Sequence, residues 1–149
     1  MARDLTAAWE LLTAVTRARQ QLATARPLIW EKARLPTAER AVIVKASADG
    51  NRWRQSNGNG ADQVVMRVSL ETHLLDGRCL TSCLDIVASP YRWRAQPYIT
   101  LVDGTERLLW EGQASERDDP ALFAESVDTA ARSLLSATMS LDFTDIDKP

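Results

Sequence analysis

The chain has 149 residues, of which 45% are apolar, 26% charged and 6% aromatic, with six glycines and six prolines. That balance suits one globular domain and excludes a disordered, collagen-like or low-complexity chain. A net charge of -2 argues against a dedicated nucleic-acid binder, although residues 1–60 carry ten Lys/Arg against five Asp/Glu and could face an anionic partner.

The N-terminus, MARDLTAAWELL, sets Asp4 and Glu10 where a signal peptide needs an unbroken apolar run. No stretch reaches the roughly 18 apolar residues of a membrane span. The expectation is a cytoplasmic protein with no membrane contact.

A helical segment is predicted over residues 4–34. Within 4–25, Leu5, Ala8, Trp9, Leu12, Val15 and Leu22 fall on one side, an amphipathic pattern expected to face the core. Pro27 should end or kink this helix, with a further short turn over Leu28–Arg34.

An antiparallel sheet is predicted over residues 40–115. Asp-Gly recurs at Asp49-Gly50, Asp76-Gly77 and Asp103-Gly104, 27 residues apart each time, and Arg40, Arg67 and Arg94 stand nine residues before each Asp. Asp-Gly between apolar runs marks a hairpin, because Gly accepts the positive φ of a tight turn. Three consecutive hairpins are therefore expected. The first uses the β-branched run Val42, Ile43 and Val44, although Leu35-Pro36-Thr37-Ala38-Glu39 could also open a helix. The loop Ser56-Asn57-Gly58-Asn59-Gly60 separates it from the second.

In the second hairpin, Val64, Met66, Val68, Leu70 and Leu74 alternate with Val65, Arg67, Ser69, Glu71 and His73, which predicts one buried and one wet face. A three-residue loop, Asp76-Gly77-Arg78, would pair Leu70 with Leu84 and Val68 with Ile86 and keep one face apolar. The third hairpin runs from Trp93 to Leu101 and back through Leu108 to Gln113, with Pro97 suggesting an edge or a bulge.

A C-terminal helix is predicted over residues 119–139. Asp119 should cap it and Pro120 open it, with Phe123, Val127, Ala130, Ala131, Leu134 and Thr138 as its buried stripe. The acidic tail, 142–149, is expected to be loose. The fold class is thus α+β: an N-terminal helix, an antiparallel meander of four to six strands, and a C-terminal helix packed on one face of the sheet. By architecture alone this resembles small secretion-chaperone-like domains and helix-grip folds, a likeness that carries no function with it.

Catalytic signatures are weak. His73 is the only histidine and reads as a surface residue, because no nucleophile motif, phosphate loop, dinucleotide fingerprint or metal spacing accompanies it. Cys79 and Cys83, on one strand, would lie about 13 Å apart, too far to bridge. Neither a cofactor nor a metal is expected.

Arg52-Trp53-Arg54 and Arg92-Trp93-Arg94 repeat a pattern that sends an indole to one face of a strand and two guanidiniums to the other. Core positions are the default for Trp9 and Trp110, whereas Trp30, outside the helical stripe, is expected to be partly exposed.

These readings lead to a non-enzymatic protein-binding, adaptor or chaperone-like domain, expected to form a homodimer. It would use a sheet edge or a tryptophan-bearing helix, with Trp30, Arg52 and Arg92 as partner-binding candidates. The alternative is a carrier or enzyme that holds a small apolar ligand between the sheet and the C-terminal helix, oriented by Arg94, Tyr98 and Trp110.

Overall fold

A computed structural model describes residues 2–27, 29, 41–47, 63–73, 77–89 and 92–141. Helix α1 spans Ala2–Thr24. Strands follow at Ala41–Ser47 (β1), Gln63–His73 (β2), Cys79–Ala88 (β3), Trp93–Asp103 (β4), Thr105–Glu111 (β5) and Ser115–Arg117 (β6). A 3-10 turn at Pro120–Leu122 leads into helix α2, Phe123–Met139. The expected α+β architecture is present, with the six described strands in one antiparallel sheet of order β1-β2-β3-β4-β5 and β6 paired to β4.

Helix α1 ends at Thr24, three residues before Pro27, which itself lies in a further helical turn. The Ala25 amide bonds back to Leu22 O (3.0 Å) in a tightened turn, and the Ile29 amide then reaches Ala25 O (2.8 Å). Trp30 and the rest of the predicted turn, 30–34, lie outside the described residues, as does the tail 142–149.

The first predicted hairpin is described only in its first strand. β1 is a strand, but it pairs directly with β2, from Ala41↔His73 to Ser47↔Arg67. The chain between them, with Asp49-Gly50 and Arg52-Trp53-Arg54, lies outside the described residues. In the second hairpin the closing pair is His73↔Cys79, so residues 74–78 make the connection. The predicted three-residue loop is corrected accordingly: Leu70 faces Ser82 and Val68 faces Leu84. The shift is two residues, which leaves the side chains from Met66 to His73 on their expected faces, and alternation cannot detect such a shift. The bulge sits at the far end of β2, between Val64 and Met66. In the third hairpin, Asp103↔Thr105 brackets Gly104 at φ 74°.

Pro97 lies on neither edge of the sheet. On its outer side, pairing passes from β5 to β6, and the Gly112 amide donates to Pro97 O at 3.0 Å. The Gln96 side-chain amide mends this break by donating to Gly112 O at 2.9 Å. The irregularity thus falls where proline has no amide hydrogen to give.

Both helices cover the apolar face. Val68, Leu70, Leu80, Leu84, Ile86, Ala95, Ile99 and Leu101 from the sheet meet Phe123, Val127, Ala130, Ala131 and Leu134 from α2. The stripe predicted for α2 is buried in full, including Thr138, whose hydroxyl donates to Ser82 Oγ at 2.8 Å. Asp119 caps the 3-10 turn, with Oδ1 accepting from the Ala121 amide at 3.0 Å. The α-helix itself begins at Phe123, three residues after Pro120.

Candidate functional site

The second face of the sheet carries polar side chains, yet its centre is buried, contrary to the wet face expected. Cross-strand pairing aligns Arg67, Asp85 and Gln96 in one row and Ser69, Cys83 and Tyr98 in the next. Asp85 is only 1% exposed. It accepts from Arg67 Nε at 2.7 Å, from Arg67 Nη2 at 3.3 Å and from the Tyr98 hydroxyl at 3.0 Å. A carboxylate can be buried this way because its acceptor sites are filled by a guanidinium fork and a phenol.

The electrostatics follow from burial. Desolvation works to lower the Arg67 pKa, but the hydrogen bond and charge of Asp85 outweigh it and raise it. Desolvation, reinforced by the neighbouring Asp85 charge, pushes the Cys83 thiol up to about 12. Tyr98 is also raised, chiefly by desolvation. Cys83 is therefore a protonated, inert thiol at neutral pH. With Asp85 committed to Arg67 and Tyr98, this cluster holds the sheet together.

His73 sits at the hairpin end with Nε2 3.4 Å from Glu71 Oε2, a distance that the long Glu71 side chain closes along the strand. Cys79 is its cross-strand neighbour, and the Cys79 thiol lies 3.6 Å from Thr81 Oγ1. Among the described residues, no group of three or more His, Cys, Asp or Glu is placed to hold a metal ion.

The predicted ligand-orienting residues do not converge. Trp110 pairs with Ile99 and packs against the core on the helix side. Tyr98 and Arg94 belong to the opposite face, where they pair with Cys83 and Val87. Strand alternation separates Tyr98 from Trp110, since Trp110 pairs with Ile99, the residue that follows Tyr98 on β4.

Of the partner-binding candidates, Arg92 is exposed and tied to Glu116 at 2.9 Å, whereas Trp30 and Arg52 lie outside the described residues. Trp93 is partly buried on the helix side, packed against the core edge-on to Phe123 with ring centroids 5.6 Å apart.

Helix α1 departs most from expectation. Its buried stripe is Ala14, Val15, Ala18 and Leu22, continued beyond the helix by Ala25 and Ile29. Leu5, Trp9 and Leu12 instead face outward, 74%, 71% and 52% exposed. The helix carries two apolar stripes, and the single predicted stripe takes residues from both. The distinguishing signal is the run Ala14, Ala18 and Ala25, all buried in the core cluster that α2 shares, whereas the Leu5–Trp9–Leu12 run gives way to Thr16 and Arg19.

The hydroxyls of Thr13 and Thr16 bond back to Trp9 O (2.8 Å) and Leu12 O (2.9 Å). Arg17 lies to the side, joined to Asp128 of α2 at 2.9 Å. The outward stripe is thus a run of apolar side chains flanked by threonines satisfied within the helix. Such a surface can make no bond-breaking chemistry; it can exclude water against another apolar surface.

Comparison with protein families, with curated proteins and with solved structures found no match to this chain. No described helix is long and apolar enough to cross a membrane.

Proposed function

We propose that this chain is a protein-binding module whose docking surface is the outer stripe of α1. One observation carries the reading: Leu5, Trp9 and Leu12 stand in line on three successive turns, each more than half exposed. Apolar side chains scattered singly on a surface need no explanation, but a contiguous row with a central tryptophan is the composition of a binding hot spot. The Asp85 carboxylate supports a binding role over a catalytic one, because it is already held by Arg67 and Tyr98 within the sheet.

The test is a photo-crosslinking side chain placed at position 9 in cells that make the protein, with the same group at exposed Ser136 on α2 as control. Position 9 is expected to yield a covalent adduct with a protein identified by mass spectrometry, and position 136 none. Absence of an adduct at position 9, or equal yields at both positions, would refute the reading.

A further inference from the structure

We propose that the outer stripe of α1 pairs with the same stripe of a second copy of this chain, antiparallel, so that Trp9 of each copy packs on Leu12 of the other. This rests on the reading of that stripe as a docking surface and names its occupant.

The first observation is spacing. Leu5, Trp9, Leu12 and Thr16 succeed one another by four, three and four residues, the repeat with which two helices form a shared seam. α1 therefore carries a seam-type row on its outer side as well as the row buried against its own domain.

The second observation is charge. Positions flanking the row are Thr6, Ala8 and Thr13, and none is ionisable. Glu10 follows Trp9 directly and is turned about 100° away from it. A two-fold contact brings a patch against itself, so each residue of the row must suit another residue of the same row. A row without charge is complementary to its own copy, and the back-bonded Thr13 and Thr16 hydroxyls need no partner across the contact.

The direction follows from Arg19, which is exposed and continues the repeat three residues beyond Thr16. Parallel packing would set Arg19 against Arg19, whereas antiparallel packing separates the two and brings Trp9 to Leu12 twice. From Leu5 to Thr16 the seam is only about 17 Å long at 1.5 Å per residue. That is short beside a standard interface, so the association is weak and concentration-dependent.

The experiment is sedimentation velocity on the full chain from about 1 µM to about 500 µM, a range that brackets micromolar affinity. Wild type is expected to move from monomer to dimer, and Trp9→Lys and Leu12→Glu are each expected to remain monomeric. An equimolar mixture of the two variants should recover dimer, because antiparallel seating places position 9 of one copy on position 12 of the other. Leu5→Glu provides an independent disruption should either variant fold poorly by circular dichroism.

A wild type that stays monomeric throughout overturns the inference, as does a dimer that survives these substitutions. Failure of the mixture to recover overturns the antiparallel seating. If position 9 meanwhile crosslinks to a different protein in cells, the docking surface stands and the second copy is not its occupant.

Discussion

Asp85 shows how a single residue governs the polar face. Asp85→Ala removes the acceptor for two guanidinium nitrogens and a phenol at once. Breaking a buried ion pair from one side is expected to cost about 3–5 kcal/mol, read as a lower urea midpoint. Tyr98→Phe removes one hydrogen bond and leaves the ring in place, so about 1–2 kcal/mol is expected.

The two thiols should separate just as clearly. Cys79 is partly exposed and Cys83 buried, and Cys83 is held protonated up to about 12. Iodoacetamide at pH 8 should therefore modify Cys79 in the native protein and reach Cys83 only after denaturation, as peptide mass spectrometry would show. Alternation in the sequence placed Arg67, Cys83 and Asp85 on the less apolar face. It could not reveal that this face is buried, because burial of a carboxylate depends on partners from β2 and β4 whose register is tertiary.

At the level of elements, the two helices differ in how far pattern alone reaches. α2 has one apolar stripe and it is buried; α1 has two, and only packing decides which of them faces the sheet. Phe123→Ala, at a fully buried position against Trp93, is expected to cost about 3–5 kcal/mol. Trp9→Ala removes an equally large side chain from the surface and should change the stability of the isolated monomer by no more than about 0.5 kcal/mol. Urea titration of both variants at low concentration tests the contrast.

The β5–β6 break gives a second element-level expectation. A Cβ at Gly112 would stand 2.5 Å from Trp110 Cη2 and 2.9 Å from Pro97 Cγ. Gly112→Ala must displace a packed indole or a proline ring and should destabilise by about 1–3 kcal/mol. Pro97 and Gly112 are 15 residues apart in sequence, and nothing in either signals the other. Their meeting depends on the register of β4 against β5.

For the whole molecule, alkaline pH should be the destabilising direction. Cys83 and Tyr98 both have folded-state pKa values raised above their ordinary 9.0 and 10.0. Below about pH 9 both groups are protonated whether folded or unfolded, and their contribution is complete. As pH rises past those values the unfolded chain releases protons that the folded chain retains, so folding stability falls. Urea midpoints should decline between pH 8 and pH 11, and less steeply for Tyr98→Phe.

The succession of helix, meander and helix was settled by local chemistry. Apolar alternation with a period of two, Asp-Gly at positive φ and the Phe123–Thr138 stripe are properties of neighbouring residues, and each acts wherever the rest of the chain lies. Hairpin register, the pairing of β1 with β2, the burial of Asp85 and the outward turn of Trp9 were decided only by the tertiary structure. Each joins residues distant in sequence, and each is fixed by which surfaces exclude water together.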